Sequence, residues 1–168
     1  ILLKKRGIDV GVMKPVQTGG TDEKFLLKCS GAKDEANLVN PYKGKRPIAP
    51  ILEFKGKNKI DLNLIEGCFK KLKSRHQFMI VEGAGGISAP IGEDIFIFDL
   101  IRKLGLGVIL VTRPSLGTIN HTLLTLEYAR LKGIEVIGVI FNYNKSYKIG
   151  ISEKTNPALI KKLGKVAV

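Results

Sequence analysis

Phe78-Met79-Ile80-Val81-Glu82-Gly83-Ala84-Gly85-Gly86 is the stretch of this sequence that decides the fold. Its first four residues are a short apolar run that predicts a buried strand. A carboxylate follows, and three glycines come directly after it within four residues. Open α/β sheets bind ligands at the carboxyl ends of their strands, and glycines there let the backbone approach a bulky anion. The stretch therefore predicts a ligand site at Glu82, although a Gly-rich turn with a solvated glutamate has the same pattern.

Strand and helix patterns alternate along the whole chain. The predicted strands are Asp9 to Met13, Phe78 to Val81, Val108 to Val111 and Val136 to Phe141, and Val166 to Val168 begins another. The predicted helices are Asp22 to Lys28, Leu62 to Lys73, Ile119 to Leu131 and Asn156 to Leu163. Asn40 to Asn58, with its prolines and glycines, is predicted to be a loop. Because the strands are continuously apolar, we expect one α/β domain over residues 1–168, with a parallel sheet covered on both faces.

The charge of the chain is strongly positive, but its distribution argues against nucleic acid. Lys and Arg number 28 against 15 Asp and Glu, a net charge of +13. The lysines are scattered, and no aromatic residues stand among them as a stacking platform would require. An anionic small-molecule substrate, or simply a Lys-rich proteome, is the simpler explanation, so we expect no nucleic-acid partner.

The apolar runs and the cysteines indicate the compartment. No run is long enough to span a membrane, and Ile1-Leu2-Leu3 leads directly into Lys4-Lys5-Arg6, unlike a signal peptide. Cys29 and Cys68 are too few for a disulfide framework. We therefore expect a cytoplasmic protein without a membrane partner.

Two charged residues near the first strand extend the predicted site. Lys14 begins Lys14-Pro15-Val16-Gln17-Thr18-Gly19-Gly20, and an ammonium at a strand end suits charge on a transferred phosphoryl group or a carboxylate. Asp22 opens the next helix after Thr21, and together with Glu82 it offers two hard oxygen ligands for Mg²⁺. A surface lysine before a turn, and a carboxylate that complements a helix dipole, are the plain alternatives.

Two more segments follow strands in the second half of the chain. Ser115-Leu116-Gly117-Thr118-Ile119-Asn120-His121 leads into a helix whose first N–H groups suit a carboxylate or a phosphate. Thr118 or Asn120 equally suits a plain N-cap, and His121 is expected to be structural. Asn142 ends the strand Val136 to Phe141, and its amide fits either a purine edge or an ordinary turn.

Several familiar motifs do not occur in these 168 residues. The sequence has no Ser-His-Asp spacing, no metal-binding Cys/His cluster and no Gly-x-Gly-x-x-Gly. It also has no P-loop of the form Gly-x-x-x-x-Gly-Lys-Ser/Thr.

Four strings, taken in order, resemble the dethiobiotin synthetase family. They are Gly11-Val12-Met13-Lys14-Pro15-Val16-Gln17-Thr18-Gly19, Val39-Asn40-Pro41-Tyr42, Val81-Glu82-Gly83-Ala84-Gly85-Gly86 and Leu116-Gly117-Thr118-Ile119-Asn120-His121. The resemblance covers nearly the whole chain. It implies a three-layer P-loop NTPase-like α/β fold with a mostly parallel sheet, and a homodimer.

The resemblance also implies an activity, that of an ATP-dependent cyclo-ligase of biotin biosynthesis. The family joins carbon dioxide, or bicarbonate, to diaminopelargonic acid and consumes ATP with Mg²⁺. One amine of the substrate becomes a carbamate, and ATP phosphorylates the carbamate. The second amine then attacks the mixed anhydride, closes the ureido ring and releases phosphate.

Residue roles carry over by motif. Lys14 matches the catalytic lysine, which steadies the carbamate and the γ-phosphate, and Thr18 matches a residue that contacts the diamine or its carbamate. Asp22 and Glu82 match acids linked to Mg²⁺ and ATP. The resemblance places three groups beside ATP or the substrate: Gly83, Ala84 and Gly85 next to the phosphates, Asn142 at adenine, and Gly117, Thr118, Ile119 and Asn120 at the substrate's carboxylate tail across the dimer interface.

The chain departs from the family at both ends. The family opens with a strand and a P-loop, whereas this sequence begins within a helix pattern and stops near Val166 to Val168. We therefore expect a fragment, N- and C-terminally truncated, that lacks the first strand of the sheet. As it stands, such a chain is expected to bind ATP poorly and to be inactive.

Two alternatives stay open. One is a synthetase-like domain of a phosphotransacetylase-associated or cobyric-acid-synthase-like relative, against which the match at Ser115 to Asn120 argues. The other is a non-enzymatic regulatory module without a P-loop.

Overall fold

The computed structural model describes residues 1–143 and 149–168, and these fall into two compact units, Ile1–Leu104 and Gly105–Val168. Each unit combines parallel strands with helices, so the α/β class is confirmed. The strands of the two units form separate pairs, and every pair is parallel. The units are described one at a time below.

The first unit holds four strands and six helices. In chain order these elements are α1 (Leu2–Lys5), β1 (Val10–Met13), β2 (Val16–Thr18), α2 (Asp22–Ser30), α3 (Ala36–Val39), β3 (Tyr42–Gly44), α4 (Pro50–Glu53), α5 (Leu62–Lys73), β4 (Phe78–Val81) and α6 (Ile97–Leu104). A 3₁₀ turn lies at Gly56–Asn58.

The pairing of β1 with β4 positions the predicted site. Val10 pairs with Phe78 and Met13 with Val81, so the two strands end side by side. Glu82 continues the ladder by donating its backbone N–H to the Met13 carbonyl at 2.8 Å. Lys14 and Glu82 therefore emerge at the same edge of this sheet, as expected for the carboxyl ends of parallel strands.

Helix α5 begins and ends for clear local reasons. Asp61 is its N-cap, and the side chain accepts a hydrogen bond from the Asn63 backbone N–H at 2.8 Å. Ile65, Phe69 and Leu72 recur at helical spacing, and all three are buried. The helix contacts both β1 and β4, so this apolar face covers one side of the strand pair.

The second unit combines a parallel strand pair with two helices that pack against each other. Its elements are β5 (Val108–Thr112), α7 (Thr118–Leu131), β6 (Val136–Phe141) and α8 (Ile151–Gly164). Strands β5 and β6 pair in parallel, with a register shift between Val108 and Ile109. Val166 to Val168, predicted to begin a strand, is not one, although the Ala167 carbonyl accepts a hydrogen bond from the Val139 N–H at 2.8 Å.

Several other boundaries differ from the sequence prediction. The predicted loop from Asn40 to Asn58 contains β3, α4 and the 3₁₀ turn, and β2 lies inside the segment that follows Lys14. Helix α6 was not predicted at all. Helix α8 begins five residues before the predicted Asn156 and contains Pro157, which has no backbone N–H to donate within the helix.

Among the described residues, the prediction that the strands are covered on both faces is wrong for β4 and β5. Phe78 is 49% exposed and Ile80 is 42% exposed, whereas β1 is buried throughout. In β5, Ile109 and Val111 are also exposed. Side chains alternate between the two faces of a strand, and the elements described here cover one face of β4 and of β5. A continuous apolar run in the sequence therefore does not show whether one face of a strand is covered or both.

Nowhere in residues 1–143 and 149–168 is a helix both long enough and apolar enough to cross a bilayer.

A charged cluster ties the amino ends of β1 and β4 together, at the edge opposite Lys14. The ring of His76 lies between two carboxylates, with Nδ1 3.0 Å from Asp9 and Nε2 2.7 Å from Asp34. The guanidinium of Arg75 donates to Asp34 at 3.1 Å and to Glu35 at 2.7 Å. Burial alone lowers the pKa of His76, but the hydrogen bonds to Asp34 and Asp9 outweigh it, so the pKa is raised.

This raised pKa makes the contribution of His76 to stability pH-dependent. The contribution is fully present below the ordinary value of 6.5 and is lost as the pH rises through the higher pKa of the folded state. We expect His76→Gln to reduce the free energy of unfolding most at acid pH and less at alkaline pH. Urea denaturation between about pH 5.5 and pH 9 measures the difference.

The chain's other histidine supplies the matched control for this measurement. His121 is exposed and lies outside the cluster, so His121→Gln removes a histidine while the contacts of His76 with Asp9 and Asp34 stay in place. An equal loss of stability in His76→Gln at every pH would show that the ring contributes only packing.

Candidate functional site

Lys14 is the centre of the candidate site. Its ammonium lies 2.9 Å from Glu82 Oε1 and 3.2 Å from Asp22 Oδ2, and it donates to the Gly83 carbonyl at 3.0 Å. The lysine side chain is only 7% exposed, whereas both carboxylates are about half exposed. The structure therefore brings together three of the residues that the sequence singled out separately, at the end of β1, the end of β4 and the start of α2.

The charges of this group do not balance. Two carboxylates face one buried ammonium, which leaves net negative charge at a half-exposed position. A divalent cation bound through one or two carboxylates and phosphate oxygens would offset that charge. Asp22 and Glu82 are thus a suitable donor pair for Mg²⁺, and among the described residues no group of three or more His, Cys, Asp and Glu forms a fuller metal site.

A cavity of about 400 Å³ opens beside Lys14. It is lined by residues of β2, of the start of α2 and α4, and of the segment after β4: Lys14, Gln17, Thr18, Asp22, Ala49, Pro50, Ala84, Gly85, Ala89 and Pro90. Thr18, predicted to contact the substrate, and Ala84 and Gly85, predicted to lie next to the phosphates, therefore surround one space.

The glycines after Glu82 serve this space in different ways. Gly85 has a φ of +81°, and a Cβ built there would lie 3.1 Å from the Ala89 side chain. The turn at Gly85 thus requires glycine. Gly83, in contrast, contributes its carbonyl oxygen to Lys14, so one of the three residues predicted to lie beside phosphates helps to hold the ammonium.

Sequence reasoning missed a buried acid next to Asp22. Glu23 is 2% exposed, and its carboxylate forms an ion pair with Lys43. Burial acts to raise the pKa of Glu23, but the hydrogen bond and charge of Lys43, together with hydrogen bonds from the Glu23 backbone and from Gln17, outweigh it and the pKa is lowered. Glu23 therefore stays ionised. The only sequence signal was its position beside Asp22, because nothing indicated that Lys43 would reach it.

Gln17 connects this acid to the cavity. Its side-chain oxygen accepts the Glu23 backbone N–H at 3.3 Å, and its amide donates to the Gly19 carbonyl at 3.0 Å. These contacts fix the turn between β2 and α2. Asp22 is the first residue of α2, so the same contacts also fix the backbone position from which its side chain extends.

Asn40 was also missed as an individual residue. It is 5% exposed, and its side-chain amide donates to the backbone carbonyl of Lys14 at 2.5 Å. In the sequence, Asn40 stands out only as part of the string Val39-Asn40-Pro41-Tyr42, which resembles a family motif.

In the second unit, the predicted binding segment forms the start of α7. Gly117, with a φ of +91°, is the N-cap, rather than Thr118 or Asn120. Thr118 is 1% exposed, its N–H donates to the Ser115 carbonyl at 3.2 Å, and its hydroxyl lies 2.7 Å from the Thr112 hydroxyl. The polar groups of Thr118 are thus engaged within the unit. Asn120, in contrast, is exposed.

Two asparagines in the second unit have different surroundings. Asn142 is exposed at the end of β6, and its backbone N–H donates to the Thr112 carbonyl at 2.8 Å. Asn156, which the sequence had not indicated, is 5% exposed and donates to the Pro114 carbonyl at 2.8 Å. Asn156 thereby ties α8 to the segment that leads into α7.

Comparison with known proteins shows which proteins this chain is similar to. A family model described as "AAA domain" matches residues 1–168. The chain is 46% identical over 143 residues to the ATP-dependent dethiobiotin synthetase BioD of Methanococcus vannielii, covering 84% of this chain and 68% of the relative. It is 48% identical over 147 residues to the protein of that name from Methanocaldococcus jannaschii, covering 83% and 68% respectively.

A bacterial relative extends the match over nearly the whole chain. The ATP-dependent dethiobiotin synthetase BioD of Bacillus velezensis is 41% identical over 175 residues, covering 98% of this chain and 73% of the relative. The matches agree with the parallel α/β architecture and with the P-loop NTPase-like fold that the sequence resemblance implied.

Proposed function

The chain belongs to the ATP-dependent dethiobiotin synthetase family, and we propose that it carries out that family's reaction in biotin biosynthesis. The observation that carries the proposal is the group formed by Lys14, Asp22 and Glu82 beside a cavity. The names of the relatives favour this function over a regulatory module and over a phosphotransacetylase-associated or cobyric-acid-synthase-like domain.

The proposed reaction joins carbon dioxide to diaminopelargonic acid at the expense of ATP. One amine adds to carbon dioxide and loses a proton, which gives a carbamate. The carbamate oxygen then takes the γ-phosphoryl group of ATP and ADP leaves. Finally the second amine attacks the carbamoyl carbon and loses a proton, the bond from that carbon to the phosphorylated oxygen breaks, phosphate leaves with that oxygen, and the ureido ring closes.

Lys14 is the proposed catalytic residue. Its ammonium is buried and held at three points, so it needs little reorganisation to face developing negative charge. Preorganised positive charge of this kind stabilises the transition state of phosphoryl transfer. In the proposed site the ammonium faces the carbamate and the γ-phosphate, and Thr18 on the cavity wall contacts the diamine.

Asp22 and Glu82 are the proposed ligands of Mg²⁺, and with Gly83, Ala84 and Gly85 they form the proposed ATP-binding side of the site. When bound, Mg²⁺ neutralises phosphate charge. Both carboxylate side chains are half exposed, so they would be accessible to the cation while Lys14 keeps its place between them.

The second unit carries the proposed sites for the substrate tail and for adenine. We assign the substrate's carboxylate to the start of α7, at Gly117, Thr118, Ile119 and Asn120, where backbone N–H groups at a helix N-terminus favour an anion. Thr118 serves there by holding the turn, because its hydroxyl and N–H are already bonded. Asn142 is assigned to adenine. A homodimer and a cytoplasmic location complete the proposal.

The missing phosphate-binding motif bears on how the proposal is tested. These 168 residues contain no Gly-x-x-x-x-Gly-Lys-Ser/Thr. We therefore propose that on their own they bind ATP weakly and turn over poorly. The activity tests use the full protein that carries these residues.

Growth of a biotin-requiring bacterium tests the function. A strain that lacks dethiobiotin synthetase is expected to grow without biotin when it expresses the full protein. The Lys14→Ala variant, at the same cellular level, is expected not to support growth. Failure of the unaltered protein to support growth, despite accumulating in folded form, would contradict the proposed function.

A further inference from the structure

The backbone of Lys14 forms hydrogen bonds with residues that lie outside β1 and β2. Lys14 lies between β1, which ends at Met13, and β2, which begins at Val16. Its N–H donates to the Val39 carbonyl at 2.8 Å, and its carbonyl accepts the Asn40 side-chain amide at 2.5 Å. Both backbone polar groups of this lysine are thus bonded to two consecutive residues at the end of α3.

Asn40 is fixed well enough to act as a support. Its backbone N–H donates to the Ala36 carbonyl at 2.8 Å at the end of α3. Its side-chain amide nitrogen also donates to the Tyr42 carbonyl at 3.3 Å. The Tyr42 N–H in turn donates to the Pro15 carbonyl at 3.2 Å, so the segment is joined to the chain on both sides of the Lys14 carbonyl.

The pattern of bonds indicates that Asn40 acts as a donor. Both hydrogens of its amide have carbonyl partners, at Lys14 and Tyr42. Its side-chain oxygen is buried and has no hydrogen-bond partner among the described residues. An unpaired buried acceptor costs stability, so the benefit of an amide at this position lies in the two donated bonds.

We propose that Asn40 is a positioning residue for Lys14. The Asn40 amide holds the backbone carbonyl of Lys14. It thereby fixes the backbone position from which the Lys14 side chain extends to place its ammonium between Asp22 and Glu82. The effect of Asn40 on catalysis rests on the proposed function, whereas its effect on the placement of the lysine rests on the contacts alone.

The chemical accessibility of the Lys14 amine tests this placement without any need for activity. Reductive methylation with formaldehyde and cyanoborohydride, read by mass spectrometry, gives the labelling rate of each lysine, with the exposed Lys57 as internal reference. Asn40→Asp keeps the size of the side chain but replaces a donor with an acceptor that faces a carbonyl. We expect Lys14 to be labelled about ten times faster in this variant, since an unpaired buried group favours local opening.

Acid pH provides a rescue that a purely structural defect would not show. The introduced carboxyl regains a donor when it is protonated. The labelling rate of Lys14 in Asn40→Asp, divided by that of the unaltered protein, is therefore expected to fall toward one as the pH is lowered.

Kinetics of the full protein supply the second readout. Misplacing a catalytic group by about 1 Å can cost about a hundredfold in rate, so we expect kcat of Asn40→Asp to fall by about that factor. The KM values for ATP and the diamine are expected to change by less than about threefold, because the other groups proposed to contact them are unaltered.

Leu72→Ala is the matched control. Leu72 is a fully buried core residue at the end of α5, so its truncation lowers stability without removing a contact to Lys14. Lys14 labelling in this variant should match that of the unaltered protein. If Asn40→Asp fails to fold, Asn40→Ser takes its place in the comparison with Leu72→Ala. This variant shortens the donor without adding charge.

The outcomes separate the two proposals. Faster labelling of Lys14 in the Asn40 variant, but not in Leu72→Ala, supports the positioning role. Equal labelling in the Asn40 variant and the unaltered protein, or equal acceleration in both variants, overturns it. If the full protein makes no dethiobiotin, the proposed function fails, and the labelling result still decides the role of Asn40.

Discussion

Replacing Lys14 with alanine is expected to lower kcat by at least about a thousandfold, the scale of effect seen when a preorganised charge is removed from an acyl- or phosphoryl-transfer site. The ammonium is buried and held by two carboxylates and a carbonyl, so solvent cannot supply an equivalent charge in its place. The fold is expected to survive, because Asp22 and Glu82 are half exposed and water can hydrate them once the lysine is gone.

Two further variants define what the loss means. Lys14→Arg is not expected to restore activity, since a planar guanidinium cannot occupy the position of a compact ammonium. Lys57→Ala, which removes an exposed lysine outside the cavity lining, is expected to keep the kcat of the unaltered protein. The measurement is steady-state release of ADP with saturating diamine and bicarbonate. A Lys14→Ala protein with undiminished kcat would refute the catalytic role.

The second large effect is expected on the requirement for Mg²⁺. Glu82→Gln and Asp22→Asn each keep the shape of the side chain and remove a hard anionic ligand. We expect each variant to need about 10 to 100 times more Mg²⁺ for half-maximal turnover, the range found when groups supporting a metal are altered. Titration of turnover with Mg²⁺ at fixed ATP measures the shift.

The control for this titration is an acid elsewhere in the same unit. Glu93 is exposed and does not contact Lys14, so Glu93→Gln is expected to leave the Mg²⁺ requirement unchanged. An unchanged requirement in both Glu82→Gln and Asp22→Asn would mean that these acids serve only to hold Lys14.

Short, strongly patterned elements could be predicted from the sequence with their boundaries. Strand β4 and helix α5 begin and end at the predicted residues, because an apolar run bounded by a glycine-rich segment and an Asp-capped amphipathic stretch are strong local signals. Helix α6 was missed, although Ile97, Phe98, Leu100 and Leu104 are buried on one face. Its eight residues gave a short periodic signal beside a glycine-rich loop.

Some residues of the candidate site could likewise be predicted from the sequence, and others could not. Lys14, Asp22 and Glu82 could be predicted because each lies next to a strand or helix end, where α/β sheets bind ligands. Their supports could not. The bonds from Asn40 to Lys14 and from Lys43 to Glu23 join residues 26 and 20 positions apart, and only the folded chain brings them together. No local pattern marks a partner at that distance.

Incorporation of ¹³C from labelled bicarbonate tests the central claim most directly. The full protein is incubated with diaminopelargonic acid, Mg²⁺, ATP and [¹³C]bicarbonate, and the product is analysed by mass spectrometry. The account predicts dethiobiotin that carries the label in its ureido carbon, formed together with ADP and absent with Lys14→Ala. Release of ADP without labelled dethiobiotin, or labelled product from Lys14→Ala at the unaltered rate, would contradict it.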